Sequence, residues 1–128
     1  MLEVAAGVLI QDHKIMIARR GDEKPYAGYW EFPGGKIEKG ETPEVCVKRE
    51  FMEELGIRIG VRGFIGHNTY TYSKGPVQVF LYSVQYLGGT IAPTEHAEIR
   101  WVKPEELVNF ELLPGNLILI PHLANLKV

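Results

Sequence analysis

The apolar residues fall into short runs bounded by polar turns, and this pattern predicts strands over most of the chain. Residues 4–10 are small or apolar at every position, which indicates a strand that is covered on both faces. Turn-forming residues at 12–14, 73–76 and 88–89 bound the runs, and the Pro-Gly-Gly at 33–35 is expected to break a strand. The predicted strands are residues 4–10, 15–18, 30–32, 77–87 and 99–102.

One segment has the periodicity of a helix. Thr42 and Pro43 suit the N-cap and the first helical position, and Gly56 suits the position after the last turn. The apolar stripe between them consists of Val47, Phe51 and Leu55. A short helix is predicted at 104–107, and a last helix at 117–126 that is interrupted or kinked at its proline. Strands and helices are interleaved, which predicts an α/β (α+β) fold with a sheet between helical layers.

Composition narrows the class of protein. The chain has 128 residues, of which 45% are hydrophobic and 23% charged, so one globular domain over residues 1–128 is expected. A single cysteine, Cys46, excludes an internal disulfide and is expected to be a buried thiol. The net charge is −2 without a basic stripe, which does not favour binding to long nucleic acid. No leader or membrane span is apparent, so a cytoplasmic location is expected.

Three glutamates are concentrated on the predicted central helix. Glu50, Glu53 and Glu54 are three and four residues apart, which places them on one helical face. Arg49 precedes Glu53 by four residues and is expected to orient it. Oxygen ligands on a rigid element suit Mg²⁺ or Mn²⁺, and a carbonyl of the Pro-Gly-Gly segment is a further candidate ligand. Without metal, mutual repulsion should raise the pKa values of the carboxylates. The alternative is a solvated acidic surface.

The same residues carry a family signature. The fixed positions are Gly35, Glu41, Arg49, Glu50, Glu53, Glu54 and Gly56. Their identities and spacing resemble the Nudix box without a departure, and chance would produce such a match on the order of 10⁻⁸ per start position. Residues 30–38 and 40–43 are similar to the MutT branch of that family, whose members cleave nucleoside triphosphates.

The resemblance implies a fold and a reaction. It implies a Nudix-type α/β/α sandwich with a central mixed β-sheet. It also implies hydrolysis that depends on Mg²⁺, with Mn²⁺ as a substitute. In MutT-like enzymes water attacks the β-phosphorus of a nucleoside triphosphate, which releases a monophosphate and pyrophosphate. Oxidised purine nucleotides such as 8-oxo-dGTP are the expected substrates of this branch.

The resemblance implies two kinds of role for the site residues, metal binding and catalysis. The expected metal ligands are Gly34 through its carbonyl, Glu50, Glu53, Glu54, Glu95 and Glu98. The expected catalytic residues are Arg49, Glu50, Glu53 and Glu95. The general base stays open among Glu50, Glu95 and Glu98, although alignment on Trp101 favours Glu95. The number of metal ions also stays open.

A nucleobase pocket is implied near the end of the chain. Asn116 follows a Leu-Pro-Gly segment that is similar to the purine-reading segment of MutT-like enzymes, and an amide offers both a donor and an acceptor. A helix cap is the alternative role for Asn116. The expected substrate-binding residues are Arg20, Glu31, Phe32, Pro33, Gly34, Gly35 and Asn116.

Two rival functions remain at this point. A CTP or pyrimidine nucleotide pyrophosphohydrolase has a similar framework, and Asn116 favours the purine reader over it. A non-catalytic Nudix domain that binds nucleotides is the other rival, although an intact set of carboxylates argues against it. His67, His96 and His122 show no metal-ligand spacing and are given no role. The only expected partner is a small nucleotide, and the oligomeric state is open.

Overall fold

Strands make up most of the fold. The computed structural model describes residues 1–126. Its strands are β1 (Leu2–Gln11), β2 (Lys14–Arg20), β3 (Trp30–Glu31), β4 (Gly34–Lys36), β5 (Arg58–Tyr72), β6 (Gly75–Gly88) and β7 (His96–Val102). Its helices are α1 (Pro43–Leu55), the single turn α2 (Pro114–Leu117), and two 3-10 helices, Pro104–Asn109 and Ile120–Asn125. No helix of the described residues is long and apolar enough to cross a membrane.

The strands form one mixed sheet around β1. The order is β3-β2-β1-β6-β5, with β4 added to β1 and β7 added to β2. β1 runs parallel to β6 over Leu2 to Leu9 and antiparallel to β4, and its last two residues pair with β2. The turn between β1 and β2 has positive φ at both Asp12 and His13, as a tight two-residue hairpin requires. The predicted mixed sheet is confirmed.

Helical layers cover both faces of this sheet. Ala5 and Leu9 of β1 point to one face and pack with Phe51 of α1. Ala6 and Val8 point to the opposite face. The core on that second face also contains Leu107, Leu112, Leu119 and Leu123 from the C-terminal part of the chain. Burial on both faces explains why residues 4–10 are apolar without alternation, and the predicted sandwich is confirmed.

The central helix matches its prediction at both ends. The Thr42 hydroxyl accepts a hydrogen bond from the N–H of Val45 at 3.2 Å, and Pro43 occupies the first turn. Gly56 adopts φ 74° and donates its N–H to Met52, which closes the helix in a left-handed conformation. α1 therefore has a fixed start, end and buried face.

Three elements differ from the sequence prediction. β5 is a strand of 15 residues that was not predicted, because glycines and charged residues interrupt its pattern and three irregularities shift its register against β6. The Pro-Gly-Gly segment does not end strand structure, since Gly34–Lys36 resumes pairing with β1. The last helix predicted at 117–126, interrupted or kinked at Pro121, is wrong in its bounds and type: α2 ends at Leu117, and a separate 3-10 helix begins at Ile120, next to Pro121.

Candidate active site

Arg49 on α1 is the centre of a cluster of carboxylates. Its Nε and Nη2 donate to the two carboxylate oxygens of Glu41, at 2.6 and 2.9 Å. Its Nη1 donates to Glu50 at 2.8 Å and to Glu53 at 3.0 Å, so the contact expected between Arg49 and Glu53 is present. Nη2 also donates to the carbonyl oxygen of Lys36, which ties the guanidinium to β4. One cation therefore orients three acidic side chains.

These bonds shift the ionisation of both partners. Hydrogen bonds from Arg49 lower the pKa of Glu41 to about 2, and the backbone N–H of Glu38 adds to the effect. Hydrogen bonding to Glu41 raises the pKa of Arg49 further above its usual range. A permanent cation beside α1 offsets the repulsion between glutamates on one helical face.

Glu54 differs from the other carboxylates because it is buried. Its side chain is 4% exposed, whereas that of Glu53 is 56% exposed. Burial is the largest cause that raises the pKa of Glu54 to about 10, followed by hydrogen bonding to Glu50 and repulsion from it. The expected rise in pKa is therefore confirmed for Glu54, with burial rather than repulsion as its main cause.

A pocket of about 580 Å³ opens next to this cluster. Its lining is largely apolar, and its polar residues include Arg20, Glu31 and Asn116. Arg20 donates to Glu31 Oε1 at 3.0 Å and to the carbonyl oxygen of Pro25 at 2.8 Å, so its guanidinium is held at the pocket wall. A mostly apolar cavity with a few fixed polar groups is the usual form of a small-molecule site.

Two glycines separate the pocket from the carboxylates. Gly34 and Gly35 line the pocket, and a Cβ on Gly35 would lie 2.5 Å from the carboxyl group of Glu50. A Cβ on Gly34 would overlap the backbone of β1. Only glycine permits both approaches. Pro33 does not line the pocket, and its carbonyl oxygen accepts from the N–H of Gly7.

Asn116 is a buried residue of the pocket lining, and its side chain is hydrogen-bonded to Phe32, the residue that follows β3. Its Oδ1 accepts the N–H of Phe32 at 3.0 Å, and no protein group within residues 1–126 accepts from its amide nitrogen. Leu113 is the N-cap of α2, so the alternative role of Asn116 as a helix cap is wrong. The Tyr72 hydroxyl accepts the N–H of Gly115 at 2.9 Å and holds the preceding residue of the turn. The Asn116 side chain is thus fixed through its carbonyl oxygen at the pocket wall, and its amide nitrogen is left for a ligand.

A family comparison agrees with this arrangement. The model of the NUDIX domain family matches residues 1–123. The chain belongs to the Nudix family. It is accordingly a hydrolase, and Nudix hydrolases as a class act on nucleotides and use divalent metals.

Several known proteins align with nearly the whole of this Nudix chain. The CTP pyrophosphohydrolase of Escherichia coli (strain K12) is 33% identical over 99% of this chain and 94% of its own length. The 8-oxo-dGTP diphosphatase of Haemophilus influenzae is 32% identical over 98% of this chain and 93% of its own length. The solution structure of the E. coli ORF135 protein superposes with a TM-score of 0.86 at 32% identity, over 97% of this chain and 89% of that one.

The two acids outside the Nudix box lie in different surroundings. Glu95 is half exposed and pairs with Lys24 at 3.3 Å, and its charge contributes to the raised pKa of Glu54. Glu98 is paired with Arg100 at 2.6 Å and with an arginine of β2, and these bonds lower its pKa. Glu95 is therefore electrostatically linked to the buried carboxylate, whereas Glu98 is engaged by two cations.

Sequence reasoning gave His96 no role, yet it lies inside the site. Its side chain is 3% exposed, and its Nε2 is 2.9 Å from Glu31 Oε2 and 3.6 Å from Glu54 Oε1. These partners lie 65 and 42 residues away in the sequence, so no local spacing could have indicated them. The only sequence signal was its position directly after the candidate base Glu95.

The oxygen donors of the cluster fit a hard divalent cation. Glu54 Oε2 is buried and has no hydrogen-bond partner among residues 1–126. The Gly34–Lys36 backbone runs against the carboxyl group of Glu50, so backbone and carboxylate oxygens are close together. No three acidic, histidine or cysteine side chains of the described residues already converge as a metal site. The donor types therefore suit Mg²⁺, while the carboxylates are not preassembled around one point.

Proposed function

We propose that this Nudix hydrolase cleaves nucleoside triphosphates to a nucleoside monophosphate and pyrophosphate in a reaction that depends on Mg²⁺. The observation that carries the proposal is the contact between the two halves of the site. Gly34 and Gly35 line the pocket and run directly against Glu50. A nucleoside in the pocket would therefore extend its phosphates towards the carboxylates of α1.

The residues of the chain divide the work of this reaction. Glu50 and Glu54, with the Gly34 carbonyl, would hold Mg²⁺, and Glu53 would complete the ligands or position water. When bound, Mg²⁺ neutralises phosphate charge and lowers the pKa of a coordinated water. Arg49 orients Glu50 and Glu53 through the hydrogen bonds described above.

Proton removal from the attacking water needs a general base near α1. Glu95, in the loop before β7, is a stronger candidate than Glu98 in β7, because its charge acts on Glu54 while Glu98 is engaged by two arginines. Glu50 is the other candidate, since it lies on α1 beside the glycine backbone. Replacing Glu95 or Glu50 by Gln and comparing the pH profiles of kcat would separate them.

The pocket favours an oxidised purine nucleotide, such as 8-oxo-dGTP, as the substrate. It has room for a purine ring, and Asn116 presents an amide donor beside the buried Phe32. The resemblance to an 8-oxo-dGTP diphosphatase supports this choice. CTP is the second candidate, because the E. coli CTP pyrophosphohydrolase is similar over 99% of this chain.

A substrate panel tests the proposal directly. Pyrophosphate release would be measured for dGTP, 8-oxo-dGTP, dCTP and CTP, with Mg²⁺, with Mn²⁺ and with excess chelator. We expect 8-oxo-dGTP to have the highest kcat/KM and the chelator to abolish turnover. Reaction in ¹⁸O-water should place the label in pyrophosphate. Turnover in chelator, or label only in the monophosphate, would contradict the proposed chemistry, and a preference for CTP would replace the substrate.

A further inference from the structure

His96 joins the pocket wall to the buried carboxylate of α1. Its Nε2 is 2.9 Å from Glu31, which lines the pocket, and 3.6 Å from Glu54. Nε2 is within hydrogen-bond distance of Glu31 only, so a hydrogen on Nε2 is donated to Glu31, and the ring lies against Glu54 without a hydrogen bond to it. His96 Nδ1 is buried and has no partner among residues 1–126, so Nε2 makes the polar contacts of the ring. The other oxygen of Glu31 is held by Arg20.

The loop before β7 fixes the position of His96 relative to α1. The N–H of Ala92 donates to the carbonyl oxygen of Leu55 at 2.8 Å. The backbone N–H of Thr94 donates to the backbone carbonyl oxygen of Glu54 at 2.9 Å. The Thr94 hydroxyl donates to the carbonyl oxygen of Glu53 at 3.0 Å. These bonds satisfy carbonyls at the C-terminal end of the helix, which have no partner within it. The loop therefore caps the C-terminal end of α1. His96, two residues after Thr94, is thereby placed next to the carboxyl group of Glu54.

The opposite side of His96 is fixed by the sheet. His96 pairs with Arg20 of β2, at the point where the register between β2 and β7 shifts after Arg19. Glu31 lies on β3, the strand that pairs with β2, and its partner there is Ala18. The imidazole is thus held by a strand, a helix cap and a carboxylate, all in a buried space.

We propose that His96 is a positioning residue that holds Glu31 and Glu54 in a fixed relation, so that the pocket and the metal-binding carboxylates form one site. The proposal rests on the proposed function in assigning metal binding to Glu54. Without His96, Glu31 would lose one of the two side chains that donate to it, and the ring that lies against both Glu31 and Glu54 would be missing. Removal of a group that orients a metal ligand typically weakens metal binding or activity by about 10- to 100-fold.

Two amide substitutions form a matched pair for the test. The amide nitrogen of Gln reaches the position of Nε2, whereas that of Asn reaches only the position of Nδ1. His96→Gln should therefore retain the donor to Glu31, and His96→Asn should lose it at similar polarity. His96→Leu removes all polar contacts, and His67→Gln, at an exposed histidine of β5, controls for the loss of a histidine.

The first measurement is Mn²⁺ binding to each free protein by electron paramagnetic resonance, at one pH and without nucleotide. The second is kcat and KM with Mg²⁺ for the best nucleotide, and thermal unfolding confirms that each variant folds. We expect Mn²⁺ affinity and kcat of His96→Gln to stay within about threefold of wild type. His96→Asn and His96→Leu should fall by about 10- to 100-fold in Mn²⁺ affinity, with kcat reduced more than KM is raised.

Equal Mn²⁺ affinities of folded His96→Asn and His96→Gln would overturn the positioning role. Wild-type Mn²⁺ affinity in His96→Leu would do the same. If wild type turned over none of the nucleotides but the Mn²⁺ affinities kept the expected order, the proposed function would fail and the role of His96 would stand. If wild type turned over the nucleotides and the variants did not differ in Mn²⁺ affinity or kcat, the proposed function would stand and the role of His96 would fail.

Discussion

Asn116 offers the sharpest test of how the pocket reads a base, because one side chain has a structural and a recognition role at once. Its carbonyl oxygen accepts the N–H of Phe32, which is 2% exposed and cannot find water instead. Asn116 also lines the pocket, and with its oxygen engaged its amide nitrogen is the group left to contact a base. Asn116→Ala removes both functions, whereas Asn116→Asp keeps an oxygen for Phe32 and replaces the donor by an acceptor.

The two substitutions should therefore separate stability from selectivity. Loss of the acceptor in Asn116→Ala leaves a buried N–H unpaired, which costs about 1–3 kcal/mol. For a chain of this size that corresponds to a decrease in Tm of roughly 4–12 °C. Asn116→Asp should lose less stability, because its oxygen still accepts from Phe32. Exposed Asn109→Asp controls for the added negative charge.

Selectivity should follow the opposite order. An Asp at 116 turns an acceptor towards a base carbonyl, so it should lower kcat/KM for 8-oxo-dGTP at least as much as Asn116→Ala does. A loss of about 1–3 kcal/mol corresponds to a decrease of roughly 5- to 150-fold. Poor substrates should change much less. If kcat/KM for every nucleotide decreased in proportion to the loss of stability, Asn116 would be structural only, and the CTP assignment would gain support.

Three further predictions follow from the ionisation and hydrogen bonding of the site. Glu54→Gln should lower kcat by at least about 100-fold. In chelator wild type should lose stability relative to the same variant as pH rises from 6 to 8, because the pKa of Glu54 is raised well above its ordinary value of 4.5 and the buried carboxyl group resists ionisation. Glu41→Gln should flatten acid unfolding, measured by circular dichroism, since the lowered pKa of about 2 gives stability above pH 4.5 that is lost towards pH 2. Tyr72→Phe removes the acceptor for Gly115 and should lower unfolding free energy by about 0.5–1.5 kcal/mol in urea, while a variant as stable as wild type would show that this bond is replaced by water.

Local signals were sufficient for the central helix. Thr42, Pro43 and Gly56 mark its ends by backbone chemistry that acts within four residues. The buried stripe repeats at helical spacing, and Arg49 and Glu53 are neighbours on the surface of any helix. These features depend on sequence distance alone, so the helix and the Arg49–Glu53 contact could be predicted without the rest of the fold.

Tertiary pairing decided the elements that were not predicted. β5 is long because β6 supplies a partner along its whole length, although its own residues alternate poorly. Gly34–Lys36 becomes a strand because β1 pairs with it, against the tendency of Pro-Gly-Gly to end one. The C-terminal segment breaks into short turns that fill the second face of the sheet. In each case the deciding contact lies far away in the sequence.

The carboxylates of α1 show the same division between local and distant causes. Helical spacing correctly brings Glu50, Glu53 and Glu54 to one region, but it cannot say which of them is buried. Arg49 lies on the same helix and forms ion pairs with two of them, the mostly buried Glu50 and the exposed Glu53. The capping loop and His96 come from the far end of the chain and enclose the third, Glu54. The helix therefore carries acids in two kinds of surroundings, and residues outside the Nudix box decide which glutamate is buried.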